Sequence, residues 1–195
     1  MKNWKSPVLA GGQDTRLAGK LNPALPSDPH LRLWLQADGS LTSRLRAHGV
    51  VQVQVQQQGV MPLWQQEQTD LQAPSGYVRE VVLLLNDTPV VWARSATPLP
   101  AIQGAWRAMR GLGSRPLAEL LFAGRQVERE PLQARHLCRC GLQANHIQRQ
   151  WQALEPQTVD AATPRWARSS VFWRHGQPLR VMEAFSPWVR TLTLA

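Results

Sequence analysis

The stretch YVREVVLLLNDTPVVWARSATP, residues 77–98, decides the fold because it contains two long apolar runs around one turn. Valine, leucine, tyrosine and tryptophan dominate residues 77–85 and 90–96, and this composition is typical of strands. The intervening NDTP, residues 86–89, consists of residues that favour turns. The stretch therefore predicts a β-hairpin with two long antiparallel strands.

The first strand of this hairpin contains a charge where apolar side chains are expected. Side chains alternate between the two faces of a strand, so Arg79 shares a face with Val81 and Leu83. Burying an unpaired cation is costly, so Arg79 must have a partner. That partner is either another part of the protein or a ligand.

A second hairpin is predicted from WARSSVFWRHGQPLRVMEAFSP, with strands over 166–174 and 179–185 around the turn HGQP. In its last strand Glu183 shares a face with Val181 and Phe185, so a carboxylate also lies in an apolar row. Two interpretations of Arg79 and Glu183 stay open. They are structural, as a buried salt bridge or as edge residues, or they line a ligand cavity.

The other segments are read from their periodicity and their capping residues. The pattern predicts a helix pair over 28–49, a half-solvated strand in VVQVQVQQQ, two helical pieces within 100–122 with Ser114 as a cap, a strand over 125–139 weakened by Pro131, and a helix or excursion over 141–164. Strands joined by hairpins, with helices in separate excursions, indicate an antiparallel α+β domain.

Length and composition favour one globular domain. With 195 residues and 43% hydrophobic residues, the chain can bury one core, which we place at residues 28–195 after an irregular leader, 1–27. We expect a monomer.

The net charge of +9 is the clearest feature of the composition, and most of the basic residues are arginines. Because they are scattered and accompany no basic helix or nucleic-acid-binding signature, the pattern disfavours nucleic acid as a partner. Such a surface also suits anionic small substrates or a transient contact with anionic lipid headgroups.

The sequence favours a cytoplasmic location. Cys138 and Cys140 are the only two cysteines, too few for a secreted disulfide framework. The N-terminus lacks a signal peptide, and no apolar run approaches the roughly 20 residues of a membrane span, so no integral membrane segment is predicted.

One group of residues could in principle bind zinc. His136, Cys138, Cys140 and His146 include the right ligand types, but their spacing matches no common zinc pattern. We interpret them as ordinary strand and loop residues, and we predict no metal site.

The two hairpins, with GLGSRPLAELLF between them and LWLQADGSLTSR before them, resemble the chorismate lyase family. The resemblance covers roughly residues 28–188, and the motifs occur in the family's order. It implies a single antiparallel sheet of about six strands, with helical flaps that enclose an internal ligand pocket. It also implies the family's reaction in ubiquinone biosynthesis, in which chorismate is split into 4-hydroxybenzoate and pyruvate.

The resemblance assigns roles to five residues. Arg79 and the backbone amide of Leu117 correspond to groups that bind the ring carboxylate, and Glu183 corresponds to the glutamate at the hydroxyl end of the ring. Leu41 lies at the flap position between the first two helices, and Arg94 is expected at the pyruvyl carboxylate. Gly39, Gly111 and Gly113 are candidate flap hinges.

No cofactor is expected for this reaction, because aromatisation of the ring provides the driving force. The alternative is a non-catalytic module that binds a small aromatic acid, because the effector domains of GntR-type regulators resemble this fold. Those regulators carry a DNA-binding domain before the effector domain, and only about 27 residues precede the first predicted helix here. The sequence therefore favours the enzyme.

Overall fold

The computed structural model of the protein describes residues 25–122, 126–154 and 163–193. One antiparallel sheet carries helices on both faces, which confirms the predicted α+β class. The seven described strands are β1 Val51–Pro62, β2 Ser75–Leu85, β3 Thr88–Pro98, β4 Val127–Arg129, β5 Gln133–His136, β6 Trp166–Arg174 and β7 Gln177–Phe185. The described helices are α1 Pro29–Gln36, α2 Leu41–Arg46, α3 Gln65–Leu71, α4 Leu99–Gln103, α5 Ala118–Phe122 and α6 Leu142–Leu154, with 3-10 turns at Arg107–Gly111 and Pro187–Thr191.

The strand order places the two long hairpins side by side. It runs β1-β2-β3-β7-β6-β4, and β5 pairs with the same strand, β6, that β4 joins. The sheet has one strand more than the six or so predicted because the segment expected over 125–139 is interrupted at Glu130–Leu132. Pro131 lies in that interruption, and a proline cannot donate a ladder hydrogen bond.

Both hairpins turn on two residues rather than on the four that the sequence suggested. Asn86 and Asp87 have φ of 47° and 63°, and His175 and Gly176 have φ of 50° and 70°. Positive φ at both central positions is the requirement of the tight turns that fit the twist of paired strands. The strands are therefore longer than predicted, and Arg174 pairs with Gln177.

One face of the sheet, here called the front face, carries the side chains of Arg79, Val81, Ala93, Val181 and Glu183. The predicted helix pair covers part of it as α1 and α2. Asp28 and Ser40 cap these helices, accepting hydrogen bonds from the amides of Leu31 at 3.0 Å and Ser43 at 3.1 Å.

The segment 99–122 covers the rest of the front face. Its helical pieces are α4, the 3-10 turn and α5, and Trp106, Met109 and Leu112 are buried there against strand residues such as Phe172 and Leu179. The expected cap at Ser114 is wrong, because α5 begins only at Ala118.

The opposite face, here called the back face, is covered by α3 and α6. Helix α6 lies within the excursion predicted over 141–164 and buries Ala144, Ile147 and Trp151 at helical spacing against Trp92 and Met182. Helix α3 was not predicted from the sequence. None of the described helices has the length and apolar character that crossing a bilayer requires.

Of the predicted leader, residues 1–27, the first 24 lie outside the described residues. The single-domain boundary at residue 28 stays a prediction.

Candidate active site

A cavity lies between the front face and its helical cover. Two flaps close it. The first flap consists of α1 and α2 and lines the cavity with residues 39–42, and the second flap is the segment 111–122, which lines it with residues 116–122. Its walls are mostly apolar, and its charged side chains are Arg79, Arg129, Arg168 and Glu183. An enclosed, largely apolar space with a few converging polar groups is the usual form of a small-molecule site.

Arg79 enters the cavity from β2 and is only 1% exposed. Its Nη2 donates to the carbonyl oxygens of Gly113 at 2.8 Å and Arg115 at 3.1 Å, while its buried Nε has no described acceptor. Burial lowers the pKa of the Arg79 guanidinium, with a small opposing effect from Tyr77. Arg79 is therefore a buried cation whose hydrogen-bond partners among the described residues are neutral carbonyls.

Glu183 enters the same cavity from β7, and Arg168 of β6 lies directly opposite it in the ladder. The Nε of Arg168 donates to Oε2 of Glu183 at 2.6 Å. The Nη1 of Arg168 donates to the carbonyls of Trp34 at 2.9 Å and Ala37 at 2.6 Å, at the end of α1. Arg168 thus fixes the glutamate and ties the first flap to the sheet.

These contacts bear on the two interpretations of Arg79 and Glu183. The two side chains do not form a salt bridge with each other, because the ion-pair partner of Glu183 is Arg168. Neither is an edge residue, because β2 and β7 each have a strand on both sides. Both line one cavity, as the ligand interpretation required.

Leu41, predicted at the flap, and Leu117, whose amide is predicted to bind the ring carboxylate, also lie at this cavity. Leu41 is the first residue of α2 and is 4% exposed, and Leu117 immediately precedes α5. The structure therefore brings together Leu41, Arg79, Leu117 and Glu183, although Leu41 and Glu183 lie 142 positions apart in the sequence.

The fifth predicted residue, Arg94, is not at the cavity. It points to the back face and donates to Glu67 at 2.7 and 2.9 Å and to Glu80 at 2.5 Å. Its guanidinium also lies 4.1 Å from the centre of the Trp64 ring. Burial alone would lower the pKa of Arg94, but Glu67 and Glu80 outweigh it and raise the pKa. The geometry gives no support to the expected contact with a pyruvyl carboxylate.

Glu80 is the centre of this back-face network and is fully buried. Besides Arg94, it contacts Nε2 of His146 at 3.0 Å and accepts from Nε2 of Gln150 at 2.6 Å. Burial would raise the pKa of the Glu80 carboxyl, but the contacts with His146, Arg94 and Gln150 outweigh it and lower the pKa. The charges of Arg94, Glu67 and Glu80 therefore compensate one another, whereas Arg79 on the front face has no described carboxylate partner.

The four candidate zinc ligands are dispersed. The sulfur atoms of Cys138 and Cys140 lie 3.7 Å apart, His136 packs against Trp166, and His146 is engaged by Glu80. Among the described residues, no three histidine, cysteine or acidic side chains form a possible metal site.

Two cavity arginines were not singled out from the sequence. Arg129 was assigned to a weak strand, and its Nε is buried without a described acceptor. The pairing of Arg168 with Glu183 was missed because a four-residue turn over residues 175–178 places Arg168 opposite a different residue. Counting back from a two-residue turn at His175 and Gly176 gives the observed pair.

An antiparallel sheet whose helical cover closes over a buried, unneutralised arginine is typical of a protein that encloses a small anion. The chain belongs to the chorismate lyase family: the sequence model of that family, described as chorismate lyase, matches residues 24–191.

Relatives that carry the family name cover most of the chain. A probable chorismate pyruvate-lyase of Albidiferax ferrireducens is 41% identical over 163 residues, which is 80% of this chain and 82% of the relative. One from Bordetella avium is also 41% identical, over 85% of this chain and 80% of the relative. One from Aromatoleum aromaticum is 36% identical over 92% of this chain and 95% of the relative.

Solved structures with a similar arrangement come from transcription regulators. The C-terminal domain of the histidine utilization repressor from Pseudomonas syringae pv. tomato is 13% identical, over 74% of this chain and 96% of that chain, with a TM-score of 0.49. A GntR-family regulator from Bacillus cereus is 8% identical over the same shares, also with a TM-score of 0.49.

Proposed function

We propose that this protein is a chorismate lyase that converts chorismate to 4-hydroxybenzoate and pyruvate. The observation that carries the proposal is the single cavity that Arg79, Leu41, Leu117 and Glu183 line together. Family membership and the names of the relatives support the same activity.

Arg79 binds the ring carboxylate in this proposal. Its buried Nε is a donor without a described acceptor, and a carboxylate there would remove the penalty of an unneutralised buried charge. The amide of Leu117, beside α5, is the second proposed donor to that carboxylate. Leu41 provides apolar contact from the other flap.

Glu183 orients the 4-hydroxyl group of the ring. Oε2 of its carboxylate accepts a hydrogen bond from Arg168, so the glutamate is held in one position. Its other oxygen can accept a hydrogen bond from the hydroxyl group. Holding both ends of the ring fixes the reactive conformer, which reduces the entropic part of the barrier.

The reaction is an elimination that balances within the substrate. The ether bond at C3 breaks, and its electron pair leaves on the enolpyruvyl oxygen. The C4 hydrogen is lost as a proton, its bonding electrons complete the aromatic ring, and the enolpyruvyl methylene gains a proton to give pyruvate. No oxidant or reductant enters this balance. Proton transfer through Glu183 and direct transfer to the methylene remain alternative routes.

The wider setting is also part of the proposal. The product 4-hydroxybenzoate would enter ubiquinone biosynthesis, as the family resemblance implies. The cytoplasmic location, the monomeric state and the independence from cofactors stay predictions from the sequence.

The proposal is tested by incubating the purified protein with chorismate and measuring both products separately. Chromatography quantifies 4-hydroxybenzoate, and a coupled lactate dehydrogenase assay quantifies pyruvate. We expect the two in a one-to-one ratio. The matched control is Arg110→Ala, which removes an exposed arginine away from the cavity and should leave the rate unchanged.

Two results would contradict the proposal. If neither product forms, the protein is not a chorismate lyase, and retained binding of 4-hydroxybenzoate would then favour a non-catalytic module. If pyruvate forms without 4-hydroxybenzoate, the reaction is a different one.

A further inference from the structure

The proposed function leaves one charge of the substrate without a partner. Chorismate carries one carboxylate on its ring and another on its enolpyruvyl group, and the first is assigned to Arg79. Arg94, the expected partner of the second, lies on the back face and is held by two glutamates. A second cation is needed in the cavity, because an uncompensated buried carboxylate is costly.

The cavity offers two further arginines among the described residues, and one of them is already engaged. Arg168 donates to Glu183 and to the carbonyls of Trp34 and Ala37. Its charge is balanced by the glutamate, and it holds the first flap in place. Arg168 is therefore a positioning residue rather than a free binding group.

Arg129 has no such partners. It is the last residue of β4 and pairs with Phe172 of β6, and its guanidinium lies 5.2 Å from the centre of that ring. Its Nε is buried without an acceptor among the described residues, and it takes part in none of their salt bridges. Arg129 is a half-buried cation that lines the cavity, and its Nε can donate a hydrogen bond to a ligand.

The chemistry of the substrate places the second carboxylate on this side of the cavity. The enolpyruvyl group is on C3 and the hydroxyl group on C4, so the two are neighbours on the ring and lie away from the ring carboxylate. If the hydroxyl group is at Glu183, the enolpyruvyl group lies beside Glu183 and not beside Arg79.

Arg129 lies on that same side. Its strand pairs with β6, which in turn pairs with β7, the strand that carries Glu183. Burial and the nearby charge of Arg168 lower the pKa of Arg129, while Glu183 and Asp38 partly raise it. Arg129, Arg168 and Glu183 line the same cavity, and the buried Nε of Arg129 could donate to an additional anion there.

We propose that Arg129 forms the subsite for the enolpyruvyl carboxylate, an inference that rests on the proposed function. The cavity then has one arginine for each carboxylate. Arg79 contacts both the substrate and 4-hydroxybenzoate, whereas Arg129 contacts only the substrate and the departing pyruvate. This division distinguishes the dianionic substrate from the monoanionic product.

The test compares Arg129→Gln with wild type and with Arg110→Gln, which makes the same change on the exposed surface. Steady-state kinetics give kcat and KM for chorismate, and calorimetry gives Kd for 4-hydroxybenzoate. For Arg129→Gln we expect kcat/KM to fall about 10- to 100-fold, mainly through KM, because one charge-assisted contact is lost. The Kd for 4-hydroxybenzoate should stay within about 3-fold of wild type, which also shows that the cavity has folded.

Each result decides the inference. Unchanged kcat/KM in Arg129→Gln, with both products formed by wild type, would overturn the subsite and leave the proposed function intact. An equal loss of chorismate and 4-hydroxybenzoate affinity would show a merely structural role. If wild type forms neither product, the proposed function fails and the subsite falls with it.

A second variant keeps the test decisive if Arg129→Gln does not fold. Arg129→Lys retains a positive charge and much of the aliphatic stem, but it loses the planar fork of the guanidinium. Its kcat/KM should fall less than that of the Gln variant, again with product affinity unchanged. A Lys variant that loses both in parallel would overturn the inference.

Discussion

Arg79 is both a proposed ligand-binding residue and an anchor for a flap, because its Nη2 holds the carbonyls of Gly113 and Arg115. We predict that Arg79→Ala abolishes measurable turnover and weakens 4-hydroxybenzoate binding by about 2 to 4 kcal/mol, the usual cost of removing one side of a buried charged contact. Arg79→Lys should restore only part of the affinity, since lysine cannot form the same planar contacts. Calorimetry on the folded variants measures both, and a wild-type Kd in Arg79→Ala would refute the assignment.

Substitution of Glu183 by glutamine removes the carboxylate charge and keeps the shape of the side chain. We predict that Glu183→Gln remains folded, because the amide oxygen can still accept from Arg168, while kcat falls at least about 10-fold because the carboxylate charge is lost. Thermal unfolding checks the first expectation, and steady-state assays with chorismate check the second. A folded Gln variant with wild-type kinetics would mean that Glu183 serves only as the partner of Arg168.

At the residue scale, the sequence was most informative where a charge interrupted an apolar row. Arg79 and Glu183 both stood out in this way. Arg94 stood out equally, and alternation counted from the turn does not separate it from Arg79. A register shift between Leu83 and Leu84 produces the observed pairs, in which Arg79 lies opposite Ser95 and Arg94 lies opposite Glu80. What the sequence could not show was which face would carry the cavity and which would carry the compensating glutamates, because that depends on contacts with α3 and α6.

The flaps are the elements on which turnover should depend. A product that keeps its carboxylate at Arg79 and its hydroxyl at Glu183 retains most contacts of the substrate, so it should leave only when a flap opens. We predict that product release limits turnover. Rapid-quench measurements should then show a burst of 4-hydroxybenzoate close to one per protein molecule, and a linear time course from the start would rule this out.

The glycines of the second flap provide a matched pair for a further check of flap closure. Gly113 has a φ of 54° and its carbonyl is bound by Arg79, whereas Gly111 has no such φ and an added Cβ there meets nothing within 4 Å. Alanine at residue 113 is therefore strained in the closed flap, by about 1 to 2 kcal/mol. We predict that Gly113→Ala weakens 4-hydroxybenzoate binding and reduces the burst, while Gly111→Ala does neither. Equal behaviour of the two variants in the same binding and quench experiments would contradict this.

The two long hairpins and the first helix pair were predicted from local signals, although the hairpin turns are shorter than expected. Helix α3, which is held by distant contacts, was not predicted. The hairpins and the first helix pair follow from alternation, turn residues and caps. Helix α3 has no apolar stripe, and its buried residues are Glu67 and Leu71. Glu67 accepts from the amide of Trp64 at 2.9 Å, and it is buried because Arg94, 27 residues further along the chain, neutralises it. The pattern of one sequence does not predict that Glu67 pairs with Arg94.

At the scale of the whole molecule, the back-face network links stability to pH. The pKa of Glu80 is lowered on folding, so its contribution is complete above the ordinary pKa of 4.5 and is lost as the pH falls through the lower folded-state value. We predict that the difference in unfolding free energy between wild type and Glu80→Gln is constant at neutral pH and shrinks below about pH 4.5. Urea unfolding at a series of pH values measures it, and a difference that grows on acidification would be the wrong sign.

Arg79 and Glu80 are neighbours in sequence but face opposite sides of one strand, and this has a consequence for how the sheet forms. If β2 paired one residue out of step, Arg79 would turn towards Arg94 on the back face, and Glu80 would turn towards Glu183 on the front face. Two arginines would then lie together on the back face and two glutamates on the front face, in environments with little water to screen them. The opposite charges of Arg79 and Glu80 therefore favour the observed register of β2 over a register shifted by one residue.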